Sequence, residues 1–373
     1  MAAETIFTTM TRLAVETGAI NLGQGFPDGG EPPALLDAAA AALHAGHNQY
    51  APLPGVPALR EAIAAHQQRH YGIELDPDTQ VQVTFGATEA IAAALLALVR
   101  PGDEVAMLDP SYDSYGAIVA LAGGTAAPIP LAPPDWRITS VEQIGPRTRV
   151  LLLNTPHNPT GHVLDERELA LLTGACREHD VTLVTDEVYE HLIYDGEHIP
   201  PQTLPGMAER TLAISSLGKT HSVTGWKIGW ATGPAELVGG VRGVKQFLSF
   251  AGGTPLQHAA AAGLALDGEA TALAASLRER RDRLAAGLTE AGFAVLPTAG
   301  TYFLNADCRP LGEPDAAALS LRLPHEAGVV AIPLSAFTAV RTAETDALMR
   351  FAFCKRTDVL DEGIARLMAW RHG

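Results

Sequence analysis

The chain has 373 residues, of which 47% are hydrophobic and 18% are charged, a composition typical of a large globular enzyme and not of a disordered chain. Lysine and arginine number 26 against 42 aspartates and glutamates, so the formal net charge is −16. This acidic balance argues against a nucleic-acid-binding protein, which would need a basic face.

The cysteine pattern and the N-terminus indicate the compartment. Cys176, Cys308 and Cys354 lie far apart and form no C-x-x-C pair, so neither a disulfide framework nor a thiolate zinc site is predicted. No basic segment followed by an apolar core opens the chain, and the longest apolar run, 90–99, is too short to span a bilayer. We therefore expect a cytoplasmic protein without a membrane partner.

The first part of the chain predicts helices joined by loops rich in glycine and proline. Apolar residues recur at helical spacing over 4–17, 33–46 and 56–70. The connector 46–55 is too rich in proline for a regular element. Tyr50 lies in this connector, and we expect it at the surface or in an interface.

From residue 81 onward, strands and helices alternate regularly. A strand at 81–85, a tight turn at 86–88 and an apolar helix at 89–99 are predicted. This arrangement brings free amide groups and the positive end of a helix dipole to one point, which favours an anion. Further buried strands are predicted at 104–108, 149–153, 181–184 and 211–214, with a helix at 166–178.

Polar side chains follow the carboxyl ends of these strands. In an open α/β sheet, ligands bind outside the carboxyl ends, so these side chains are expected to converge on one crevice. Lys219, beside small hydroxyl residues, is well placed to act as a buried amine and a nucleophile. The converging residues are Gly86, Thr88, Tyr112, Asn158, Asp186, Tyr189, Ser216 and Lys219.

The last third of the chain predicts a smaller α+β unit. A long helix is expected over 256–291, and it is followed by short strands. Arg350 lies on the last strand between apolar residues, where an arginine usually has a buried anionic partner. The predicted strands are 293–296, 301–304, 329–332 and 348–353.

The converging side chains are those that pyridoxal 5'-phosphate requires. Its aldehyde needs a lysine, here Lys219, and its pyridine nitrogen needs an acidic partner, here Asp186. Its phenolate oxygen needs hydrogen-bond donors, which Asn158 and Tyr189 have. Its phosphate needs a helix N-terminus and a cation, and Lys227 can be that cation.

Five motifs resemble those of the fold-type I, class I/II aminotransferases, in particular the kynurenine/methionine/glutamine branch and the N-succinyldiaminopimelate aminotransferases. The resemblance covers residues 6–370. It implies an α/β fold of the PLP-transferase type I, with a mostly parallel seven-stranded sheet between helices and a smaller α+β domain. The motifs are Asn21-Leu22-Gly23-Gln24-Gly25-Phe26-Pro27-Asp28, Asn154-Thr155-Pro156-His157-Asn158-Pro159-Thr160-Gly161, Asp186-Glu187-Val188-Tyr189, Ser216-Leu217-Gly218-Lys219 and Gly225-Trp226-Lys227-Ile228-Gly229-Trp230.

The resemblance also implies domain limits and cofactor contacts. Residues 31–270 would form the large cofactor-binding domain, and 1–30 with 271–373 the small domain and N-terminal segment. Lys219 would be the Schiff-base lysine and proton shuttle, and Tyr112 would stack on the cofactor ring. Asp186 would pair with the pyridine nitrogen, Asn158 and Tyr189 with the phenolate, and the phosphate would be held by Gly86, Ala87, Thr88, Ser216 and Lys227.

Substrate contacts and a partner subunit follow from the same resemblance. Arg350 would bind the substrate α-carboxylate bidentately, helped by the Gly25 amide. Phe7 would cover the pocket, and Asn158 would also face the substrate. Tyr50 would reach the phosphate in the neighbouring subunit of a homodimer with shared active sites.

The implied reaction is transfer of an amino group between an L-amino acid and a 2-oxo acid by a ping-pong mechanism. One alternative uses the same cofactor: a C–S β-lyase acting on cysteine conjugates, which no residue here distinguishes from a transferase. Another is a ligand-sensing regulator with an aminotransferase-like domain, but only about twenty residues precede Asn21, too few for a DNA-binding module.

A metal hydrolase is a third alternative. Its ligands would come from His157, His162, His179 and His191, which form no H-x-x-x-H helix pair among themselves. These histidines are therefore expected to be hydrogen-bonded or solvated, and no metal site is predicted.

Overall fold

A computed structural model describes residues 5–372. Its helices are α1 (Ile6–Thr17), α2 (Pro33–His44), α3 (Pro57–Tyr71), α4 (Gly86–Leu98), α5 (Ser114–Leu121), α6 (Glu166–Glu178), α7 (Leu217–Thr220), α8 (Ala235–Leu248), α9 (Thr254–Gly263), α10 (Asp267–Glu290), α11 (Ala316–Glu326), α12 (Ala343–Asp346) and α13 (Thr357–His372). Its strands are β1 (Ile20–Asn21), β2 (Val81–Phe85), β3 (Glu104–Asp109), β4 (Thr125–Pro130), β5 (Thr148–Asn154), β6 (Thr182–Asp186), β7 (Thr211–Ser216), β8 (Ile228–Thr232), β9 (Ala294–Val295), β10 (Phe303–Asp307), β11 (Val329–Val330), β12 (Ile332–Pro333) and β13 (Leu348–Ala352).

The large sheet has seven strands in the order β2-β8-β7-β6-β5-β3-β4. Within it, β8 runs antiparallel to both of its neighbours, and the other pairs are parallel. The predicted mostly parallel seven-stranded sheet is therefore confirmed. Asn154 pairs with Asp186, and Asp186 pairs with Ile214, so the ends of β5, β6 and β7 meet at one edge.

Apolar runs place the central strands in the interior. Residues 150–153 of β5 are all buried, as expected for a parallel strand covered on both faces. Each such side chain contributes about 1.5–3 kcal/mol by leaving water. Helix α6 covers one face and starts with a capping box, in which Asp165 accepts from the Glu168 amide and the Glu168 side chain accepts from the Asp165 amide.

A smaller antiparallel sheet, β12-β13-β10-β9, carries the predicted C-terminal strands. Its register pairs Asn305 of β10 with Arg350 of β13, so Arg350 lies on an inner strand. A parallel pair of β1 and β11 joins the N-terminal segment to this part of the chain. Helix α1 and strand β1 are thereby tied to the C-terminal unit.

Several element boundaries differ from the sequence-based expectation. The predicted turn 86–88 is the first turn of α4, which begins at Gly86 with a φ of +70°. The predicted long helix 256–291 is two helices, α9 and α10, separated by residues 264–266. Strands β4 and β8 were not predicted. Strand β4 contains prolines, which lack a backbone donor. They are tolerated because β4 lies at the edge of the sheet.

Among residues 5–372, no helix combines the length and the hydropathy that a membrane span requires.

Candidate active site

A cavity of about 270 Å³ lies at the carboxyl ends of β5, β6 and β7. Every site residue predicted from the sequence lines it, except Tyr50. These residues are Phe7, Gly25, Gly86, Ala87, Thr88, Tyr112, Asn158, Asp186, Tyr189, Ser216, Lys219, Lys227 and Arg350. The cavity is also lined by residues that were not predicted, including Asp113, Tyr115, Asn154 and Phe303.

Lys219 lies in the one-turn helix α7 directly after β7, and its side chain is half-buried. Its Nζ donates to the Tyr302 hydroxyl at 2.9 Å, and that hydroxyl donates to the Gly25 carbonyl at 2.5 Å. Burial lowers the pKa of Lys219 to about 8, although Cys354 and Asp186 act in the opposite direction. A substantial neutral fraction is therefore present near neutral pH, as a nucleophilic amine requires.

Asp186 ends β6 and is 6% exposed. Its Oδ2 accepts from the Tyr115 hydroxyl at 2.6 Å, and its Oδ1 accepts from the Val188 amide at 3.3 Å. Burial raises the pKa of Asp186, while these hydrogen bonds and Lys219 oppose the rise. A cationic nitrogen placed beside this carboxylate would hold it in the ionised form.

The N-terminus of α4 forms the anion-binding end of the cavity. No side chain caps this helix, so its first amides are free to bind a ligand. A Cβ on Gly86 would lie 3.1 Å from the Nζ of Lys227, which places the lysine close to the helix start. Ser216 lines the same cavity. A phosphate group fits this donor set.

Arg350 is 2% exposed, and the described residues provide it with no ion pair. Its Nη1 donates to Asn158 Oδ1 at 2.9 Å and its Nη2 to the Gly23 carbonyl at 3.1 Å, whereas Nε has no partner. The anionic partner expected for Arg350 is therefore not supplied by the described residues, and a ligand could take that place. Burial lowers the pKa of Arg350 to about 10, and a ligand carboxylate would supply the missing counter-charge.

Aromatic rings surround this guanidinium. Its Cζ lies 3.8 Å from the ring centre of Phe303, 4.3 Å from that of Phe337 and 5.8 Å from that of Phe7. These contacts fix the orientation of the guanidinium and leave an apolar wall beside it.

Comparisons with known proteins agree with this geometry. A model of the family "Aminotransferase class I and II" matches residues 17–367. The chain belongs to the class I and II aminotransferases. It is 53% identical to a probable N-succinyldiaminopimelate aminotransferase of Mycobacterium tuberculosis, over 98% of this chain and 96% of that protein. It is 43% identical to a methionine aminotransferase of Escherichia coli, over 97% of this chain and 95% of that one.

Solved structures show the same fold along the whole chain. The N-succinyldiaminopimelate aminotransferase from Mycobacterium tuberculosis superposes with a TM-score of 0.96 at 52% identity, covering 99% of this chain and 97% of that one. The methionine aminotransferase from Escherichia coli superposes with a TM-score of 0.95 at 42% identity, over 99% and 97% of the two chains. The family depends on pyridoxal 5'-phosphate, and the protein is an aminotransferase; the β-lyase alternative is not favoured.

Two tyrosines of this aminotransferase site were missed by sequence reasoning. Tyr115 orients Asp186, and Tyr302 bonds to the amine of Lys219. Tyr115 follows Tyr112 by three residues, with Tyr112 just before α5 and Tyr115 in its first turn, and this spacing could have indicated it. Tyr302 precedes β10, more than eighty residues from Lys219, and only the fold brings the two together.

Packing behind the phosphate end makes a prediction about Gly229. This residue pairs with Ser216 and Thr84 in β8, and a Cβ on it would lie 2.5 Å from the Gly86 carbonyl carbon and 2.8 Å from the Ala87 nitrogen. Backbone atoms cannot rotate away, so Gly229→Ala displaces the start of α4. We expect this displacement to weaken binding of pyridoxal 5'-phosphate by about 1–3 kcal/mol, so that its Kd rises roughly 5- to 150-fold. Fluorescence titration of the apoenzyme measures this Kd.

Gly225→Ala is the matched control, because a Cβ there meets no atom within 4 Å. Equal cofactor affinity in the two variants would show that α4 does not form the phosphate end.

Proposed function

We propose that this aminotransferase transfers the amino group of an L-α-amino acid to a 2-oxo acid at a site shared by two subunits, with Lys219 as the reacting amine and Arg350 as the α-carboxylate ligand. The observation that carries the assignment of Arg350 is its buried, uncompensated guanidinium, whose Nε lacks a partner. A planar carboxylate matches its fork and supplies the opposite charge.

The residues of this chain hold the cofactor at three points. The α4 amides at 86–88, with Ser216 and Lys227, hold the phosphate; Asp186, oriented by Tyr115, pairs with the ring nitrogen. Asn158 accepts from Arg350 through Oδ1, which leaves its amide nitrogen to donate to the phenolate oxygen, together with Tyr189. When bound, pyridoxal 5'-phosphate supplies the electron sink that lets the amino acid lose its Cα proton.

Lys219 moves that proton. Its Nζ is largely desolvated and has a lowered pKa, so the neutral amine can take the proton from Cα and return it on the cofactor side. The hydroxyl of Tyr302 accepts from Nζ and is itself held by the Gly25 carbonyl, which fixes the direction of the amine. After the 2-oxo acid leaves, the same steps run in reverse with a second 2-oxo acid.

The side-chain end of the pocket favours an apolar amino donor. Among the described residues, the cations that line the cavity are Lys219, Lys227 and Arg350, and each already has a role. Phe7 and Phe303 supply apolar surface beside Arg350. These features suit a substrate such as methionine, which the relative from Escherichia coli is named for. N-succinyldiaminopimelate is the second candidate, favoured by the 53% identity to the mycobacterial relative.

A homodimer is proposed from the position of Tyr50. It is 82% exposed, does not line the cavity of its own subunit, and packs edge-on against Phe250 at 5.8 Å. Phe247 and Leu248, in the adjacent segment, are 85% and 52% exposed. Exposed apolar side chains of this size are typical of a surface that a second subunit covers.

The domain limits and the location are part of the same proposal. The seven-stranded sheet lies within residues 81–232 and the four-stranded sheet within 294–352, which supports a large domain of 31–270 and a small one of 1–30 with 271–373. The limit at residue 270 falls in the first turn of α10. The three cysteines are free and buried, which supports a reducing cytoplasm.

Arg350→Lys tests the carboxylate ligand. Lysine keeps the positive charge but loses the two-pronged geometry of the guanidinium. We therefore expect kcat/KM for the better of L-methionine and N-succinyldiaminopimelate to fall roughly 30- to 1000-fold, which corresponds to a loss of about 2–4 kcal/mol of transition-state binding. The ratio of kcat/KM for this amino acid to kcat/KM for the corresponding amine, which lacks the α-carboxylate, should decrease in parallel. Arg356→Lys, an exposed arginine paired with Asp358, is the control and should behave as wild type. Unchanged kcat/KM in Arg350→Lys would remove the assignment.

Subunit complementation tests the shared site. Homodimers of Lys219→Ala should be inactive, and those of Tyr50→Ala should have reduced activity because the phosphate loses a ligand. A heterodimer purified through two different tags combines Lys219 of one subunit with Tyr50 of the other, and should have about half of the wild-type rate from its one intact site.

A doubly tagged dimer with Lys219→Ala in both subunits is the control and should stay inactive. Wild-type activity in the Tyr50→Ala homodimer, or an inactive heterodimer, would contradict the shared site.

A further inference from the structure

A second group of titratable side chains lies outside the active site, at the C-terminal end of α3. His66 and His70 are four residues apart on this helix and therefore share one face, and His191 faces them from the segment after β6. His66 and His70 form an H-x-x-x-H pair, and His191 is distant from it in the sequence. One nitrogen from each imidazole can be chosen so that all three lie within 4.8 Å of one another.

The distances suit a metal ion. Two nitrogen ligands of a tetrahedral zinc ion, each at about 2.0–2.1 Å, are roughly 3.3 Å apart. Here Nε2 of His66 and Nε2 of His191 are 2.8 Å apart, and the ring centres of the three imidazoles are 4.5–5.0 Å apart. Small side-chain rotations would bring the three nitrogens to the spacing of a three-histidine site.

Hydrogen bonding within the described residues leaves His66 incompletely satisfied. His66 is 4% exposed, yet its Nδ1 has no partner among the described residues. Its Nε2 lies 2.8 Å from Nε2 of His191, and this contact requires one nitrogen to donate and the other to accept, so only one of the two nitrogens carries a proton.

A buried carboxylate provides the balancing charge. Glu190 precedes His191 and is 5% exposed; its Oε2 accepts from the Tyr71 hydroxyl at 2.7 Å and its Oε1 from the Ser215 hydroxyl at 2.5 Å. Glu190 lines the same small cavity as the histidines, so a hydrogen-bonded carboxylate lies beside the three imidazoles.

The cavity beside the three histidines has the size of a single ion or water molecule. A narrow cavity of about 20 Å³ is lined by His66, His70, Glu190 and His191, enough for one water molecule. Three histidines and one water complete the four positions that zinc prefers. Ser216 lines this cavity and the active-site cavity as well, so the cluster lies directly behind the phosphate end of the active site.

We propose that His66, His70 and His191 bind one divalent transition-metal ion of the zinc class, with Glu190 as the second-sphere counter-charge. Imidazole ligands favour this class of ion over magnesium or calcium, which prefer oxygen. The ion joins α3 to the segment after β6 and stabilises the wall behind Ser216. This site takes no part in the amino-group transfer, and its test is independent of that function.

The experiment uses the holoenzyme, stripped of metal with a chelator and then dialysed against Zn²⁺ alone. We expect about one equivalent of zinc per chain and a zinc-dependent rise in Tm. His70→Ala and His191→Ala should each weaken zinc binding by more than about 100-fold, and Glu190→Gln by about 10- to 100-fold. Cobalt(II) in place of zinc should show the visible d–d absorption of a tetrahedral site in the wild type, and not in His70→Ala or His191→Ala.

His325→Ala is the control, because His325 is exposed on α11 and belongs to no such cluster. It should bind zinc as the wild type does. Cofactor content, read from the absorbance of each purified variant, shows that folding is intact. If the wild type binds no zinc, or if His70→Ala and His191→Ala bind it as tightly as His325→Ala, the proposal is overturned, and the short contact is a hydrogen bond between two neutral imidazoles.

Discussion

At the centre of the active site, a half-buried lysine amine and a buried carboxylate lie at or just beyond the ends of two neighbouring parallel strands. Burial acts on both in the direction of neutrality: it lowers the pKa of Lys219 to about 8 and raises the pKa of Asp186. The first effect makes an amine that can react near neutral pH. The second disfavours the ionised form of Asp186, so a cationic ring nitrogen beside this carboxylate would stabilise that form strongly. Both effects depend on the apolar strands that exclude water from this edge of the sheet.

The rest of the site is arranged around this pair by charge. Lys227 and the start of α4 form one positive region of the cavity wall, Arg350 forms another, and Asp186 lines the same cavity. A ligand with a phosphate, a protonatable nitrogen and a carboxylate complements these three groups. The chain has a net charge of −16, so the positive regions are local features of the fold and do not reflect its composition.

The sequence predicted the parts of the site that follow directly from strand ends. Asp186, Ser216 and Lys219 come at or just after β6 and β7, so the carboxyl-end rule was enough to group them. Arg350, Phe7 and Gly25 were assigned through family resemblance, because no local pattern shows that the C-terminal sheet and the N-terminal segment reach the same cavity. Tyr302 and Tyr115 were missed for a related reason: their partners are fixed by tertiary contacts. The histidine cluster was missed because His191 is distant in sequence from the pair on α3.

The predicted boundaries of helices and strands were wrong where tertiary structure outweighed the local sequence preference. The run Gly86-Ala87-Thr88 has the composition of a turn, yet Gly86 adopts a left-handed φ and the helix continues directly from it. The strand β4 has two prolines and was unrecognisable from its pattern, and only its edge position allows it. Interior strands such as β5, with continuous apolar runs, were predicted nearly to the residue.

The central claim is that the amine of Lys219, and no other lysine, reacts with the aldehyde of the cofactor. Borohydride reduction of the purified enzyme, followed by proteolysis and mass spectrometry of the peptides, tests it most directly. The account predicts one pyridoxyl-phosphate adduct, on the peptide that contains Lys219, with Lys227, Lys245 and Lys355 unmodified. An adduct on one of those lysines, or no adduct in an enzyme saturated with the cofactor, would contradict it.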